Sequence, residues 1–347
     1  MSVHTNINGV WRDTQTVSSN INGAWRDVDK GDVNISGTWR TFYKKMPGQN
    51  WIVRDSTATS WKSVCYSDDL GIFCAISCSY DLTVRKVATS PDGINWTYGS
   101  LPSTAVYWGN VVYGNGTFVA MDRGSNGSAR KIATSGNGLT WTNRTGVNDG
   151  AHTALCYGDT PKLFVAAATN TDSIMTSPTG STWTLRTSPS NGRYACLCYG
   201  NGRFVALPDS GIGAYSNYGT SGWTGLNSSP INDISWVSVC YGNGMYVGVS
   251  NIYNKIATSA DGLTWAVNNG PVINTISACN TICFGNGVFV AMRGNTKGNI
   301  AISSVDGSNW VGSSGFGLTS SGKTIESVCY GNGIFVAVGD GQILTSD

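Results

Sequence analysis

A short phrase, an aromatic residue followed in most copies by Gly-Asn-Gly, recurs seven times in this chain and restricts the folds open to it. The aromatic residues open successive units, at Tyr66, Tyr113, Tyr157, Tyr199, Tyr241, Phe284 and Tyr330. A tryptophan closes each unit, at Trp51, Trp96, Trp141, Trp183, Trp223, Trp265 and Trp310. Neighbouring members of either series lie 40 to 47 residues apart, which matches the roughly 40–45 residues of a four-stranded propeller blade. The spacing therefore predicts an all-β chain folded as a seven-bladed β-propeller.

Each unit divides into four extended segments. In the unit around Tyr241, strand A is WVSVCY, strand B is MYVGVS, strand C is KIATS and strand D is LTWAV. The turn between strands A and B contains Asn243-Gly244, and Asn-Gly is typical of a type I′ turn, whose two central residues both have positive φ. Five of the seven units keep Gly-Asn-Gly at this turn, whereas the first and third carry the longer SDDLG and GDTPK. We still expect two paired strands in those two units.

The two ends of the repeat complement each other. The chain ends at ILTSD, a strand C with no strand D after it, and PGQNW near the start supplies a strand D with no strands A to C before it. We therefore expect the seventh blade to combine three C-terminal strands with one N-terminal strand. Such an arrangement leaves no open seam, because sheet hydrogen bonds within one blade join the two ends of the repeat. The propeller is predicted to span residues 46–347.

A second repeat, with a period of 14 residues, occupies residues 1–45. NINGVWRD, NINGAWRD and NISGTWRT each indicate a strand, a Gly turn and an aromatic-basic strand. Three units of this size bury little core alone, so their tryptophans need a partner or other copies of the chain. We interpret the segment as an attachment module, the alternative being a flexible tag. Its candidate contact residues are Trp11, Arg12, Trp25, Arg26, Trp39 and Arg40.

Between strands C and D lies another signature, seen as SPDGINW, SGNGLTW, SADGLTW and SVDGSNW. Ser and Asp side chains bond nearby backbone amides, Gly takes the corner with positive φ, and Trp packs between sheets. The signature resembles the Asp-box, or BNR, repeat of sialidases and sortilin-like receptors, with a loop one residue shorter. That resemblance implies a propeller in which the box is a folding element. We assign this structural role to Asp92, Asp261 and Asp306 together with the seven tryptophans named above.

The N-terminal repeats resemble those at the ends of bacteriophage tail and fibre proteins. The start of the chain has no apolar segment of the secretory type, so we expect synthesis in a host cytoplasm followed by incorporation into a virion. Lys and Arg are not clustered and the net charge is only +2, which argues against nucleic-acid binding. No run of eighteen apolar residues occurs, which argues against membrane insertion.

The sialidase resemblance raises the question of catalysis. Active members of that family need an arginine triad, a Tyr beside a Glu and an acidic Asp. This chain has one glutamate, Glu326, at the start of a strand A, where surface solvation is the simpler role. The arginines do not share one blade position, and neither His4 nor His152 lies in a motif. We therefore predict no enzyme activity, no metal and no cofactor.

Cysteine occupies one slot of strand A in six blades, and Val112 fills it in the second. The residues are Cys65, Cys156, Cys198, Cys240, Cys283 and Cys329. In this slot Cys acts as a small apolar side chain, and no zinc-type pair occurs. Counting back from the turn places Cys65 opposite Cys74, where either a disulfide or two thiols are compatible with the spacing. Cytoplasmic synthesis favours thiols.

Taken together, these patterns favour a tailed-phage virion protein of the tail tip, fibre or baseplate. Its propeller would bind a host-surface glycan or protein, or another virion subunit, through the variable connections between strands B and C. We expect residues 1–45 to bind other virion proteins and the chain to be a homo-oligomer in the particle. Two alternatives from other classes remain open, a sialidase-like glycosidase acting on host polysaccharide and an intracellular scaffold propeller.

Overall fold

The computed structural model describes the strands of residues 1–44 by their backbone alone. Beyond these it describes residues 47–48, 50–54, 60–78, 86–102, 107–123, 131–145, 152–169, 173–189, 192–252, 254–271, 279–295, 298–312 and 324–346. The chain divides into two compact units, Met1–Pro47 and Gly48–Asp347.

The first unit consists of three separate two-stranded antiparallel hairpins. Their strands are β1 (Val3–Ile7) with β2 (Val10–Thr14), β3 (Ser18–Ile21) with β4 (Ala24–Asp27), and β5 (Lys30–Ile35) with β6 (Thr38–Lys44). The pairing follows the sequence repeat, because the Asn of each NI phrase lies opposite the Trp of the same repeat. These pairs are Asn6 with Trp11, Asn20 with Trp25, and Asn34 with Trp39.

The second unit contains seven four-stranded antiparallel sheets, each ordered A-B-C-D from one edge to the other. The A strands are β8 (Trp61–Ser67), β12 (Trp108–Gly114), β16 (His152–Asp159), β20 (Gly192–Gly200), β24 (Trp236–Gly242), β28 (Thr281–Gly285) and β32 (Ile325–Gly331). The B strands are β9 (Ile72–Ser77), β13 (Thr117–Asp122), β17 (Lys162–Ala168), β21 (Arg203–Gly211), β25 (Met245–Ser250), β29 (Val288–Asn295) and β33 (Ile334–Gly339). The C strands are β10 (Lys86–Ser90), β14 (Lys131–Ser135), β18 (Ile174–Ser177), β22 (Ala214–Ser216), β26 (Lys255–Ser259), β30 (Gly298–Ser304) and β34 (Gln342–Ser346). The D strands are β11 (Thr97–Ser100), β15 (Thr142–Thr145), β19 (Thr184–Arg186), β23 (Thr224–Gly225), β27 (Ala266–Asn269), β31 (Val311–Gly312) and β7 (Ile52–Arg54).

Each A strand contacts the A strands of the blades before and after it, and the contact between β32 and β8 closes the ring. The chain is a seven-bladed β-propeller. The predicted fold class is therefore confirmed, and the A strands surround a central channel.

The seventh blade has the composition that the sequence predicts. Strand β7 pairs with β34 antiparallel, with Ile52 opposite Thr345 and Arg54 opposite Ile343. The Nε of Arg54 donates a hydrogen bond of 2.9 Å to the Thr345 hydroxyl, so a side-chain contact supports the backbone pairing. The N-terminal strand thus covers the outer edge of a sheet whose other three strands come from the C-terminus.

The core lies between the blades. The B strands are buried along most of their length, as in β13 and β33, because neighbouring blades cover both of their faces. This explains why they appear in the sequence as continuous apolar runs. The D strands are short and mostly exposed, and Ile52 and Val53 of β7 are among their exposed apolar residues.

The A–B turns agree with the type I′ prediction in the five blades that contain Gly-Asn-Gly. Asn243 has a φ of 48° and Gly244 a φ of 76°, and the other four turns repeat these values closely. One expectation about strand D was wrong. Trp265 precedes β27 and belongs to the loop, because its indole N–H turns back to donate a hydrogen bond of 3.2 Å to the carbonyl of Gly262.

Removal of residues 48–54 should destroy cooperative folding, because it uncovers the edge of β34 and removes Trp51, whose side chain is 8% exposed. Thermal unfolding followed by circular dichroism, together with light scattering, measures this. Removal of residues 1–45 is the control, and it should leave a cooperative transition. A stable monomer lacking residues 48–54 would contradict the closure.

Candidate functional site

The strongest candidate site is a cavity of about 490 Å³ in the channel, at the end where the A–B turns lie. Five consecutive blades, the first to the fifth, contribute its walls. Side chains from three successive positions of strand A form layers that follow the channel towards the turns. Blade 4 shows the order, since Leu197 is followed by Cys198, Tyr199 and the turn.

The layer of aromatic side chains is held in place by glycine. In six blades the residue after the Tyr or Phe is Gly, and in all six a Cβ there would overlap the aromatic ring of the next blade's strand A. Five of these glycines precede the closure, at Gly114, Gly158, Gly200, Gly242 and Gly285. Gly331 of blade 7 meets Tyr66 of blade 1 in the same way, so this packing extends across the closure.

The opposite side of each ring packs on the first aromatic residue of strand B in its own blade. Tyr199 and Phe204 have ring centroids 4.7 Å apart at an interplanar angle of 51°. The six other blades repeat this tilted pair at 4.7 to 4.9 Å. Because both ring faces are used in packing, the tyrosines offer the channel their edges and hydroxyl groups.

The thiols next to the tyrosines are held in the protonated, weakly nucleophilic form. Burial raises the pKa of Cys65, Cys156 and Cys283 far above the ordinary value, so these thiols stay protonated at neutral pH. Cys65 lies opposite Cys74 in the register of β8 and β9, as the sequence predicts, and both are free thiols. In the part of the chain that the structure describes, no group of three or more Cys, His, Asp or Glu side chains is arranged to hold a metal ion.

Within the described part of the chain, carboxylates occupy the rim of the cavity at two blades. Asp68 and Asp69 lie in the SDDLG turn of blade 1, and Asp159 lies in the GDTPK turn of blade 3. The hydroxyl of Tyr113, in the blade between them, donates a hydrogen bond of 3.0 Å to Asp69. The pKa of Tyr157 is raised, first by burial and then by the charges of Asp159 and Asp69. The sequence shows these turns as departures from Gly-Asn-Gly, but only the closed ring places them at one opening.

Glu326, the one glutamate, lies away from this cavity at the other end of strand A. Its carboxylate contacts the ammonium group of Lys62 at 2.5 Å, and the two side chains are 26% and 22% exposed. Next to this pair, Asp340 accepts hydrogen bonds of 2.7 Å from Ser60 and Thr324. These residues join blade 7 to blade 1. Glu326 therefore belongs to the seam between these two blades, whereas the sequence analysis assigned it to surface solvation.

The predicted structural residues of the C–D loops occupy equivalent places in all seven blades. In each loop the Trp indole N–H donates a hydrogen bond of 2.7 to 3.2 Å to the carbonyl of the loop glycine. The donors are Trp51, Trp96, Trp141, Trp183, Trp223, Trp265 and Trp310. Every one of these glycines has a positive φ. Gly48, which belongs to the closing strand, lies against Val290 of blade 6 as its counterparts lie against theirs.

The three aspartates cap backbone amides inside these loops. One oxygen of Asp92 accepts hydrogen bonds of 2.8 Å from the amides of Ile94 and Asn95, and Asp306 and Asp261 repeat the arrangement. Hydrogen bonds from backbone amides lower the pKa of all three carboxyls, and for Asp92 the largest effect comes from the amide of Asn95. In blade 2 the side-chain oxygen of Asn137 accepts the same two bonds, so the loop needs the oxygen more than the charge.

Among the arginines that the structure describes, no triad is formed. Arg54 bonds Thr345 at the outer edge of blade 7, and Arg144 and Arg186 bond the equivalent threonines of blades 2 and 3. This repeated pair between strands D and C is a feature that the sequence analysis missed. Arg203 lies over the ring of Tyr215, with its guanidinium carbon 5.3 Å from the ring centroid. Arg85 lies outside the described residues, as do most residues of the variable B–C connections and the side chains of Trp11, Arg12, Trp25, Arg26, Trp39 and Arg40.

Comparison with protein-family models finds no match, and comparison with curated proteins finds none either. Among solved structures, virginiamycin B lyase from Staphylococcus aureus is similar at a TM-score of 0.70 and 12% identity, over 86% of this chain and 98% of that one. YCF48 from Cyanidioschyzon merolae matches at a TM-score of 0.62 and 12% identity, over 85% and 98%. The WD40 propeller domain of Doa1 matches at 0.64 and 13%, over 87% and 97%. At these identities the likeness shows the propeller fold alone. In the described residues no helix is both long and apolar enough to cross a bilayer.

Gly200→Ala tests the packing that shapes the cavity. The added methyl overlaps the ring of Tyr241, so we expect a loss of about 1–3 kcal/mol in the free energy of unfolding. Gly136→Ala is the control, because nothing lies within 4 Å of a Cβ there and it should be nearly neutral. Urea unfolding of both variants measures the difference. Equal stabilities would contradict the proposed role of the glycine.

The lowered pKa values predict an acid dependence of stability. The folded-state pKa values of Asp92, Asp261 and Asp306 lie below the ordinary carboxyl value of 3.8. The ionised carboxylates therefore stabilise the folded state above about pH 4, and this stabilisation is lost as the pH falls below that value. Replacing all three by Asn keeps the acceptor oxygen and removes the titration. Between about pH 5 and about pH 2, the melting temperature of this variant should fall less than that of the unaltered chain. An unchanged slope would contradict the assignment.

Proposed function

We propose that this chain is a structural binding protein of a tailed-phage virion, placed at the tail tip, fibre or baseplate. In this proposal the propeller is displayed and binds, and residues 1–45 attach it to other virion proteins. The observation that carries the proposal is the division of the chain into a closed propeller and a separate unit of three repeated hairpins.

The hairpin unit supports an attachment role. Isolated two-stranded hairpins are marginally stable in water, and the three described here form no common sheet. Their identical register places one Trp and one Arg at the same point of each second strand, as with Trp11 and Arg12. Such a unit gains stability by pairing with other chains, which is compatible with a homo-oligomer inside a larger assembly.

The channel supports binding more than catalysis. Its thiols are held protonated by burial, and Glu326 is paired with Lys62 away from the cavity. The sialidase resemblance requires a Glu beside a Tyr, and Glu326 is paired with Lys62 away from the cavity, whose described carboxylates are all Asp. The glycosidase reading therefore gains no support from these groups. One similar structure is YCF48 bound to a D1 peptide, which shows that this fold accommodates a peptide in another protein.

Immunogold labelling tests the virion assignment. Antibodies raised against residues 48–347 should label the tail of particles produced by the genome that encodes this chain. A chain lacking residues 1–45 should fold but fail to enter particles, while the full chain should enter them. Labelling confined to the host cytoplasm would contradict the proposal and favour the intracellular scaffold.

Binding to host envelopes and to a glycan array tests the display role separately. The full chain and the chain without residues 1–45 should bind equally, because the proposed contact lies on the propeller. Release of sugar from host polysaccharide, abolished in Glu326→Gln, would support the glycosidase instead.

A further inference from the structure

We propose that the cavity at the turn end of the channel binds a basic polypeptide segment of a partner, with an aliphatic side chain in the channel and Lys or Arg against the rim. This inference rests on the binding role proposed above and specifies the chemistry of the partner at that site. Three observations carry it, namely the layering of the cavity, its one-sided charge and the place where the repeat is interrupted.

The layering selects a ligand with two chemical parts. Deeper in the channel the lining is aliphatic and thiol, as at Leu155, Leu197 and Val239. Nearer the turns it consists of tyrosine hydroxyl groups and, at the rim, carboxylates. A volume of about 490 Å³ lies within the range of about 300–1,000 Å³ that is usual for ligand sites. An aliphatic side chain fits the deep layer, and a cationic group beside it in the same segment meets the rim.

The charge of the lining has one sign. Asp68, Asp69 and Asp159 contribute carboxylates, and none of the described residues that line the cavity is Lys, Arg or His. Among the described residues, Asp68 and Asp159 form no ion pair, and Asp69 receives only the bond from Tyr113. Lys162 lies opposite Asp159 in the strand register but is not part of the lining. The rim therefore has free acceptor capacity for ammonium or guanidinium donors.

The interruption of the repeat is an independent sign. Five blades use the Asn-Gly turn, which connects strands A and B through two residues that both adopt positive φ. Blades 1 and 3 replace it with other sequences, and both replacements bring carboxylates to the same opening. The hairpins pair without these aspartates in the other blades, so the acidic side chains are not needed for the turn itself. Their common location points to a ligand.

A basic peptide is a better fit than a neutral sugar. The faces of the tyrosine rings are covered by Gly and by the aromatic residues of strand B, so they are not free to stack on a sugar ring. The unpaired carboxylates favour a cation over hydroxyl groups, because charge-assisted bonds are the stronger ones.

Calorimetric titration of the full chain with three short peptides tests the inference. The probes are acetyl-Gly-Lys-Leu-Lys-Gly-amide, the same peptide with both lysines acetylated, and the same peptide with Ser in place of Leu. The first should bind. Acetylation should weaken binding about tenfold or more, because it removes the charge that the rim carboxylates contact. Ser should weaken it about tenfold to a hundredfold, because the buried leucine side chain is lost.

Matched variants of the protein complete the test. Asp68→Asn, Asp69→Asn and Asp159→Asn combined should weaken binding of the first peptide about tenfold. Asp233→Asn is the control, since it removes one exposed carboxylate outside the lining, and Asn tolerates the φ of 58° at that position. The control should bind as the unaltered chain does.

Equal binding of the lysine and acetyl-lysine peptides, no binding of either, or full binding by the triple variant would overturn the inference. So would a neutral oligosaccharide that displaces the peptide and is unaffected by the three Asn substitutions. Failure here is distinguishable from failure of the proposed function. A chain that labels the particle but ignores the peptide contradicts only the cavity assignment.

Discussion

The antiparallel pairing of β7 with β34 is the contact on which the rest of the propeller depends. It joins residues close to the two ends of the chain, Ile52 and Thr345, and gives the seventh blade its outer strand. Without it the C-terminal sheet has an open edge beside an otherwise complete ring. The hydrogen bond from Arg54, the packing of Gly48 on Val290, and the ion pair of Lys62 with Glu326 all act at or next to this closure.

The closed ring creates a channel whose shape is set by a close approach of backbone and aromatic ring. A glycine at the end of one strand A leaves the space that the Tyr or Phe of the next blade fills. The same ring then packs on an aromatic residue of strand B in its own blade. Repetition of this contact fixes a layer of hydroxyl groups near the turns. Burial raises the pKa of the neighbouring thiols, as at Cys156, so they stay protonated at neutral pH.

Variation between the blades separates what the scaffold needs from what a ligand could use. The C–D loop keeps its Trp and Gly in all seven blades, whereas its acidic residue is replaced by Asn137 in blade 2 at no loss of hydrogen bonds. The A–B turn keeps Asn-Gly in five blades and departs from it in the two that bear Asp68, Asp69 and Asp159. These are the residues that the repeat does not explain.

The sequence by itself determined the number of blades, the composition of the seventh, the turn type and the role of the loop tryptophans. These features depend on local geometry and on a repeat that is visible along the chain, as with Asn243-Gly244. Only the tertiary structure decided that Lys62 meets Glu326 and that the acidic turns of blades 1 and 3 border one cavity. The partners in the first case are 264 residues apart. Repeat spacing gives the position of a residue within its blade, but side chains from different blades meet only because the ring closes around a common channel.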